Sequence, residues 1–287
     1  MHDAHPPITA VRAAVARALD EDLTPIGDLT SALLPPDLEA TALLVPRAGG
    51  VLAGRLCADE AFRQVDASLA VSWAADDGDR VAAGAEVGRV TGRLAPILTA
   101  ERTALNFLGH LSGVATLTAR FVDTIAAAGG RLRVWDTRKT TPGLRPLEKA
   151  AVRAGGGANH RGNLSDWVLL KDNHLALFGI AEAVERARTR WPGRTVHVEC
   201  GDADQVRQAV AAGADALLLD NMGPDEVRAV VDEVRAVDPR RPLIEVSGGI
   251  DLDTVAAYAT TGADLVSIGA LTHSAPVLDI GLDVATG

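Results

Sequence analysis

From about residue 130 onward, short apolar runs alternate with amphipathic stretches. The runs are LRVWD (132–136), WVLLK (167–171), TVHVEC (195–200), ALLLD (216–220), PLIEV (242–246) and LVSIG (265–269). Between them lie IAEAVERARTRW, ADQVRQAVAAG, PDEVRAVVDEV and DTVAAYATTG, whose apolar residues recur at helical spacing; several close on Gly. Runs apolar throughout belong to strands buried on both faces, so the pattern predicts a βα repeat with a parallel sheet. Most runs end in a polar or charged residue or Gly: Asp136, Lys171, Glu199, Asp220, Ser247-Gly248-Gly249 and Gly269. In a β/α barrel these ends share one mouth, and the pattern favours that fold. An open doubly wound sheet is the alternative. It favours a Gly-rich turn after the first strand, and neither GxGxxG nor GxxxxGK[ST] occurs.

The first 110 residues follow another pattern. An amphipathic helix over about 8–20 precedes the strand-like pieces ATALLVP, GVLAG, LAVSWAA and AEVGRVTG, and a helical stretch over 99–129 bridges the two halves. DGDRVAAGAEVGRVTG has the turn spacing of a lipoyl or biotinyl hairpin, but no lysine precedes Lys139, so its role is structural. The expected division is an N-terminal domain over 1–111 and a barrel over 112–270, with 271–287 packing back on the first.

Composition narrows the function. With 28 Lys and Arg against 38 Asp and Glu the net charge is -10, which argues against nucleic acid or an anionic membrane as partner. The N-terminus has no apolar core of signal-peptide type and no run of about 18 apolar residues occurs, so a cytoplasmic location is expected. Cys57 and Cys200 are the only cysteines and show no metal-ligand spacing, which reads as two unpaired thiols.

The basic residues are unevenly placed. Only three are lysines, Lys139, Lys149 and Lys171, and all fall within one stretch of 33 residues. An ammonium is a compact point charge, whereas guanidinium is a planar fork suited to carboxylates, so lysine surviving among arginines points to a chemical requirement. Residues 136–174 carry seven Lys or Arg against four Asp or Glu, a local excess of three positive charges. Arg145, Lys149 and Arg153 lie at helical spacing near Glu148, which reads equally well as a solvated helix face. Arg138, Lys139, His160, Arg161 and Lys171 sit instead beside Gly, Thr or Asn or at a strand end, and suit a substrate bearing carboxylates and phosphates. Glu199 and Asp220 suit sugar hydroxyls or a Mg²⁺ carried in by a diphosphate. SGG (247–249) and IGA (268–270) put small residues after the last two strands, where barrels commonly bind phosphate.

DTRKTTPGLRPLEKAAVRAGGGANHR, LLKDNH, LLLDN, EVSGGI and IGALTHSAPVLDIGLD resemble the quinolinate phosphoribosyltransferase family, from about Ala100 to Asp283. The resemblance implies an incomplete, seven-stranded α/β barrel with an N-terminal α+β open-faced sandwich, and a homodimer whose active sites are shared. It implies quinolinate and phosphoribosyl pyrophosphate as substrates and Mg²⁺ as cofactor. By the same resemblance Arg102 of the neighbouring subunit, Arg138, His160, Arg161 and Lys171 hold the quinolinate carboxylates. Lys139 faces the pyrophosphate, Glu199 and Asp220 the ribose and metal, and Ser247, Gly248, Gly249, Ile268, Gly269 and Ala270 the 5′-phosphate. Thr137 and His273 complete the substrate-binding set, and Lys139, Lys171, Glu199 and Asp220 the catalytic one.

Two positions depart from the family pattern. His197 stands where the first carboxylate of a Glu-x-Glu usually lies, and Gly162, where the family has a larger apolar residue, is expected to loosen its loop. Residues alone leave a second reading, a Schiff-base aldolase or lyase using Lys171 as nucleophile.

Overall fold

The computed structural model describes residues 5–237 and 242–285. In chain order its first elements are α1 (Ile8–Leu23), β1 (Glu39–Pro46), β2 (Gly50–Val51), α2 (Arg55–Val65), β3 (Ala70–Trp73), β4 (Arg80–Val81), β5 (Gly88–Arg93) and the long α3 (Leu94–Ala127). Next come β6 (Arg133–Trp135), α4 (Arg145–Ala154), β7 (Val168–Leu170), α5 (Asp172–Phe178), α6 (Ile180–Arg190), β8 (Val196–Cys200) and α7 (Ala203–Ala211). The chain closes with β9 (Ala216–Asp220), α8 (Pro224–Val237), β10 (Leu243–Ser247), α9 (Val255–Tyr258), β11 (Leu265–Ser267), α10 (Ala270–His273) and β12 (Ile280–Ala285). These elements form two compact units, residues 1–119, 140–156 and 271–287, and residues 120–139 and 157–270. Residues 1–4 and 286–287 of the terminal stretches lie outside the described residues.

The first unit is built on an antiparallel sheet in the order β12-β1-β5-β3. Its edge strand comes from the end of the chain, with Ile280 opposite Pro46 and Ala285 opposite Thr41. Val11, Ala14, Val15 and Leu19 form the buried stripe of α1, which packs with α2. Gly88 lies opposite Trp73 across the sheet, and a Cβ there would come within 2.8 Å of the indole ring. The indole can therefore lie flat across the neighbouring strand, its Nε1 donating to Asp59 at 2.8 Å.

α4 also belongs to this unit, and it corrects one expectation. Glu148 is fully buried and Lys149 is only 6% exposed, so this side of α4 is not a solvated face. Glu148 pairs with His110 at 2.8 Å and accepts the Thr141 amide at 3.1 Å, which makes it an internal anchor of the unit.

The second unit holds a parallel sheet in the order β6-β11-β10-β9-β8-β7, with a parallel bridge between Trp135 and Ala158 beyond β6. This is the incomplete barrel, six strands and a seventh position reduced to one bridge. Its strands are apolar because both faces are covered: every residue of Ala216–Leu219 is buried.

A short repeat fixes the register. The tripeptide Gly-Ala-Asp occurs at 213–215 and at 262–264, just before β9 and β11. Each glycine turns the chain at positive φ, 79° and 88°. Each aspartate then accepts an amide at the start of the neighbouring strand, Val196 N on Asp215 at 2.8 Å and Ile244 N on Asp264 at 3.0 Å. Pinned at their N-terminal ends, the strands bring their C-terminal residues to a common level.

Candidate active site

The C-terminal ends of the parallel strands of the second unit enclose a cavity of about 570 Å³. Thr137, Arg138 and Lys139 reach it from the turn after β6, and His160 and Arg161 from the segment after the Ala158 bridge. Lys171, Glu199 and Asp220 line it from the ends of β7, β8 and β9, and Ser247, Gly248 and Gly249 from the end of β10. The basic residues singled out from sequence, apart from Arg102 and His273, therefore meet in one place.

Its cationic wall is held by one carboxylate. Asp136, fully buried at the end of β6, accepts the His160 amide at 2.9 Å and Asn159 Nδ2 at 2.6 Å. A buried carboxylate must be paired, so the turn carrying His160 and Arg161 is fixed to the strand carrying Thr137 and Arg138. The His160 ring lies 5.0 Å from Trp167 and 5.6 Å from Trp135, and its Nε2 is 3.5 Å from Oε2 of the fully buried Glu245. Burial, then the neighbouring Arg138 guanidinium, pushes Arg161 below the usual arginine value. Two guanidiniums crowded together in this way gain from an anionic ligand. Gly162 does not leave its loop open, because its amide donates to Asp166 at 2.6 Å.

Glu199 and Asp220 supply the opposite charge. Glu199 pairs with Lys171 Nζ through Oε2, and Asp220 Oδ2 accepts Asn221 Nδ2 at 2.9 Å. The other oxygen of each carboxylate takes no hydrogen bond from the described residues. Both residues also border a second cavity of about 490 Å³, lined from α5, α6 and α7.

Some expected residues lie elsewhere. Ile268, Gly269 and Ala270 follow Ser267, which lines the cavity, but are not themselves in its wall. Arg102 on α3 and His273 at the end of α10 belong to the first unit, and both are exposed. Sequence reading missed Glu245 and Asn221, which line the cavity, and Asp136 as an anchor. A lone acid inside the run PLIEV was the available signal for Glu245.

His197 explains its own departure from the pattern. Only 3% exposed, it stacks on Trp167 at 5.1 Å and 25°, and burial presses its pKa down to about 4. The position thus holds a neutral aromatic group in the core. With His160 and Glu245 it places three potential metal donors within 4.8 Å of one another. The adjoining Arg138 and Arg161 oppose a further dication there.

The geometry agrees with comparison to known proteins. A model of the N-terminal domain of quinolinate phosphoribosyl transferase matches residues 28–112, and a model of its C-terminal domain matches residues 114–283. The chain belongs to the quinolinate phosphoribosyl transferase family. It is 41% identical over 281 residues to the nicotinate-nucleotide pyrophosphorylase [carboxylating] of Mycobacterium leprae, covering 96% of this chain and 97% of that one. A Bacillus subtilis relative, a probable enzyme of the same name, is 41% identical over 261 residues, 90% of this chain and 88% of its own. The solved nicotinate-nucleotide pyrophosphorylase of Francisella tularensis superposes with a TM-score of 0.94 at 37% identity, covering 99% of both chains. Members of this family thus span both units of the present chain.

The buried neutral His197 has a thermodynamic consequence. Between the ordinary histidine value near 6.5 and about 4 the folded chain binds fewer protons than the unfolded chain, so stability falls as pH drops through that window. The loss attributable to His197 is roughly 3 kcal/mol at most. Urea unfolding from pH 7 to pH 4 is expected to show a flatter decline for His197→Gln than for the native chain; parallel declines would contradict the assignment.

Proposed function

We propose that this chain transfers the phosphoribosyl group of phosphoribosyl pyrophosphate to quinolinate, with decarboxylation, in the cytoplasm. The products are nicotinate mononucleotide, CO₂ and pyrophosphate, on the route to NAD. The observation that carries the reading is the meeting of Arg138, His160 and Arg161 in one cavity with Lys139, Lys171, Glu199 and Asp220. Two guanidiniums and an imidazole suit a pyridine dicarboxylate, and the Ser247-Gly248-Gly249 turn suits the 5′-phosphate.

The residues present fit a Mg²⁺ ion. Glu199 and Asp220 are hard oxygen donors, each with one oxygen outside its internal pairing. They would hold the ion largely through substrate and water, and when bound it neutralises charge on the leaving diphosphate.

Each residue then has a task in the chemistry. Arg138, His160 and Arg161 orient quinolinate so that its ring nitrogen meets ribose C1. The C1–O bond breaks with its electron pair going to pyrophosphate, which Lys139 helps to neutralise, and the N–C1 bond forms. Glu199 and Asp220 face the positive charge that develops at C1. The alkylated ring nitrogen is then cationic, so the adjacent 2-carboxylate leaves as CO₂ with its electron pair held at C2. A proton from solvent completes the ring, and no separate base is required.

A Schiff-base enzyme is disfavoured by Lys171 itself. Its side chain is 43% exposed and ion-paired with Glu199, unlike the desolvated free amine that such a nucleophile needs. Arg102 fits a shared site: exposed on α3, it is available to enter the cavity of a second copy in a homodimer.

With phosphoribosyl pyrophosphate and Mg²⁺ the chain is expected to form nicotinate mononucleotide from quinolinate, and to use nicotinate at least a hundredfold less efficiently. A substrate lacking the 2-carboxylate forgoes its charge-assisted bonds to this cationic wall, at a cost of about 3 kcal/mol or more. Comparable turnover of nicotinate would overturn the reading. The shared site has its own test: Arg102→Ala and Lys139→Ala chains, refolded together in equal amounts, are expected to recover about a quarter of native activity through mixed dimers with one intact site. No recovery, with subunit exchange verified, would place Arg102 outside the partner's site.

A further inference from the structure

Asp220 is followed by Asn221, whose φ is 58°, the only positive φ among the described residues other than glycine. Asparagine tolerates this region better than most residues, yet glycine would occupy it at less cost. The chain keeps a side chain here, and the contacts of that side chain show what it does.

Asn221 makes three connections at the cavity wall. Its Nδ2 donates to Asp220 Oδ2 at 2.9 Å, and its backbone amide donates to Ser247 O at 2.9 Å. Its carboxamide also lies against Gly248: a Cβ there would fall 2.2 Å from Asn221 Oδ1 and 2.6 Å from Cγ. Gly248, itself at φ 97°, is therefore matched to Asn221 as well as to its own turn. The next residue is fixed too. Met222 is buried, and its carbonyl accepts the hydroxyl of Tyr258, the chain's one tyrosine, at 3.0 Å.

We propose that Asn221 is a positioning residue for the phosphoribosyl end of the site, joining the Asp220 carboxylate to the Ser247-Gly248-Gly249 turn. This rests on the functional reading above, in which Asp220 faces the ribose and the turn faces the 5′-phosphate. Those two groups are covalently linked in the substrate, so the spacing of their recognition elements must be held as one unit. Through its carboxamide Asn221 does so. The competing account makes Asn221 a turn residue valued only for its tolerance of positive φ.

Asn221→Gly separates the two accounts, because it keeps access to positive φ and removes the side chain with its carboxamide. The proposal expects a native circular dichroism spectrum and melting temperature. It expects quinolinate affinity within about threefold of native by calorimetry, and a KM for phosphoribosyl pyrophosphate raised about tenfold or more. Asn221→Asp, which keeps the shape but replaces the donor with a carboxylate beside Asp220, is expected to raise the same KM at least as much. An unchanged KM for phosphoribosyl pyrophosphate in Asn221→Gly, or equal weakening toward both substrates, would overturn the proposal. If the native chain neither binds phosphoribosyl pyrophosphate nor forms product, the functional reading fails first, and the two failures are told apart.

Discussion

The site depends on one buried carboxylate. Asp136 ends β6 with no exposure to water, and its carboxylate accepts the His160 amide and the Asn159 side chain. Leaving such a charge unpaired costs several kcal/mol, so the turn after the Ala158 bridge is tied to β6 whenever the barrel is folded. From that tie follows the rest of the cationic wall: His160 packed against Trp135 and Trp167, Arg161 beside Arg138, and Glu245 within 3.5 Å of the imidazole Nε2.

Charge is distributed along the substrate path. A chain of net charge -10 repels anions at a distance, so anionic substrates must be held by local contacts shielded from that field. The cavity provides them in two zones. Guanidiniums and imidazole stand where the two turns after β6 and the bridge meet, and carboxylates stand at the ends of β8 and β9. Lys171, ion-paired with Glu199, joins the zones. This arrangement suits a reaction in which an anionic ring meets a sugar carbon that becomes positive as pyrophosphate departs.

Much of this was legible in the sequence, for physical reasons. Doubly buried parallel strands are apolar along their whole length, so the runs ALLLD and LVSIG announced β9 and β11 directly. Their terminal residues marked the mouth, because only there does such a strand meet polar surroundings. What escaped was set by tertiary packing. Helical spacing around Lys149 and Glu148 reads as a surface, and only the folded first unit reveals that both are buried. Asp136 was visible as a strand end, but its hydrogen bonds to residues 23 and 24 positions later leave no periodic trace. The carboxamide of Asn221 and the bare backbone of Gly248 fit each other across two strands, a relation that local sequence does not contain.

The central claim is that Asp136 organises the quinolinate end of the site, and substitution by its isostere tests it most directly. Asp136→Asn keeps the shape but removes the charge and one acceptor, weakening hydrogen bonds each worth roughly 1.5–3 kcal/mol. Calorimetric titration of the folded variant is expected to show quinolinate affinity reduced at least tenfold, with phosphoribosyl pyrophosphate affinity within about threefold of native. A folded Asp136→Asn chain that binds quinolinate as the native chain does would contradict the account.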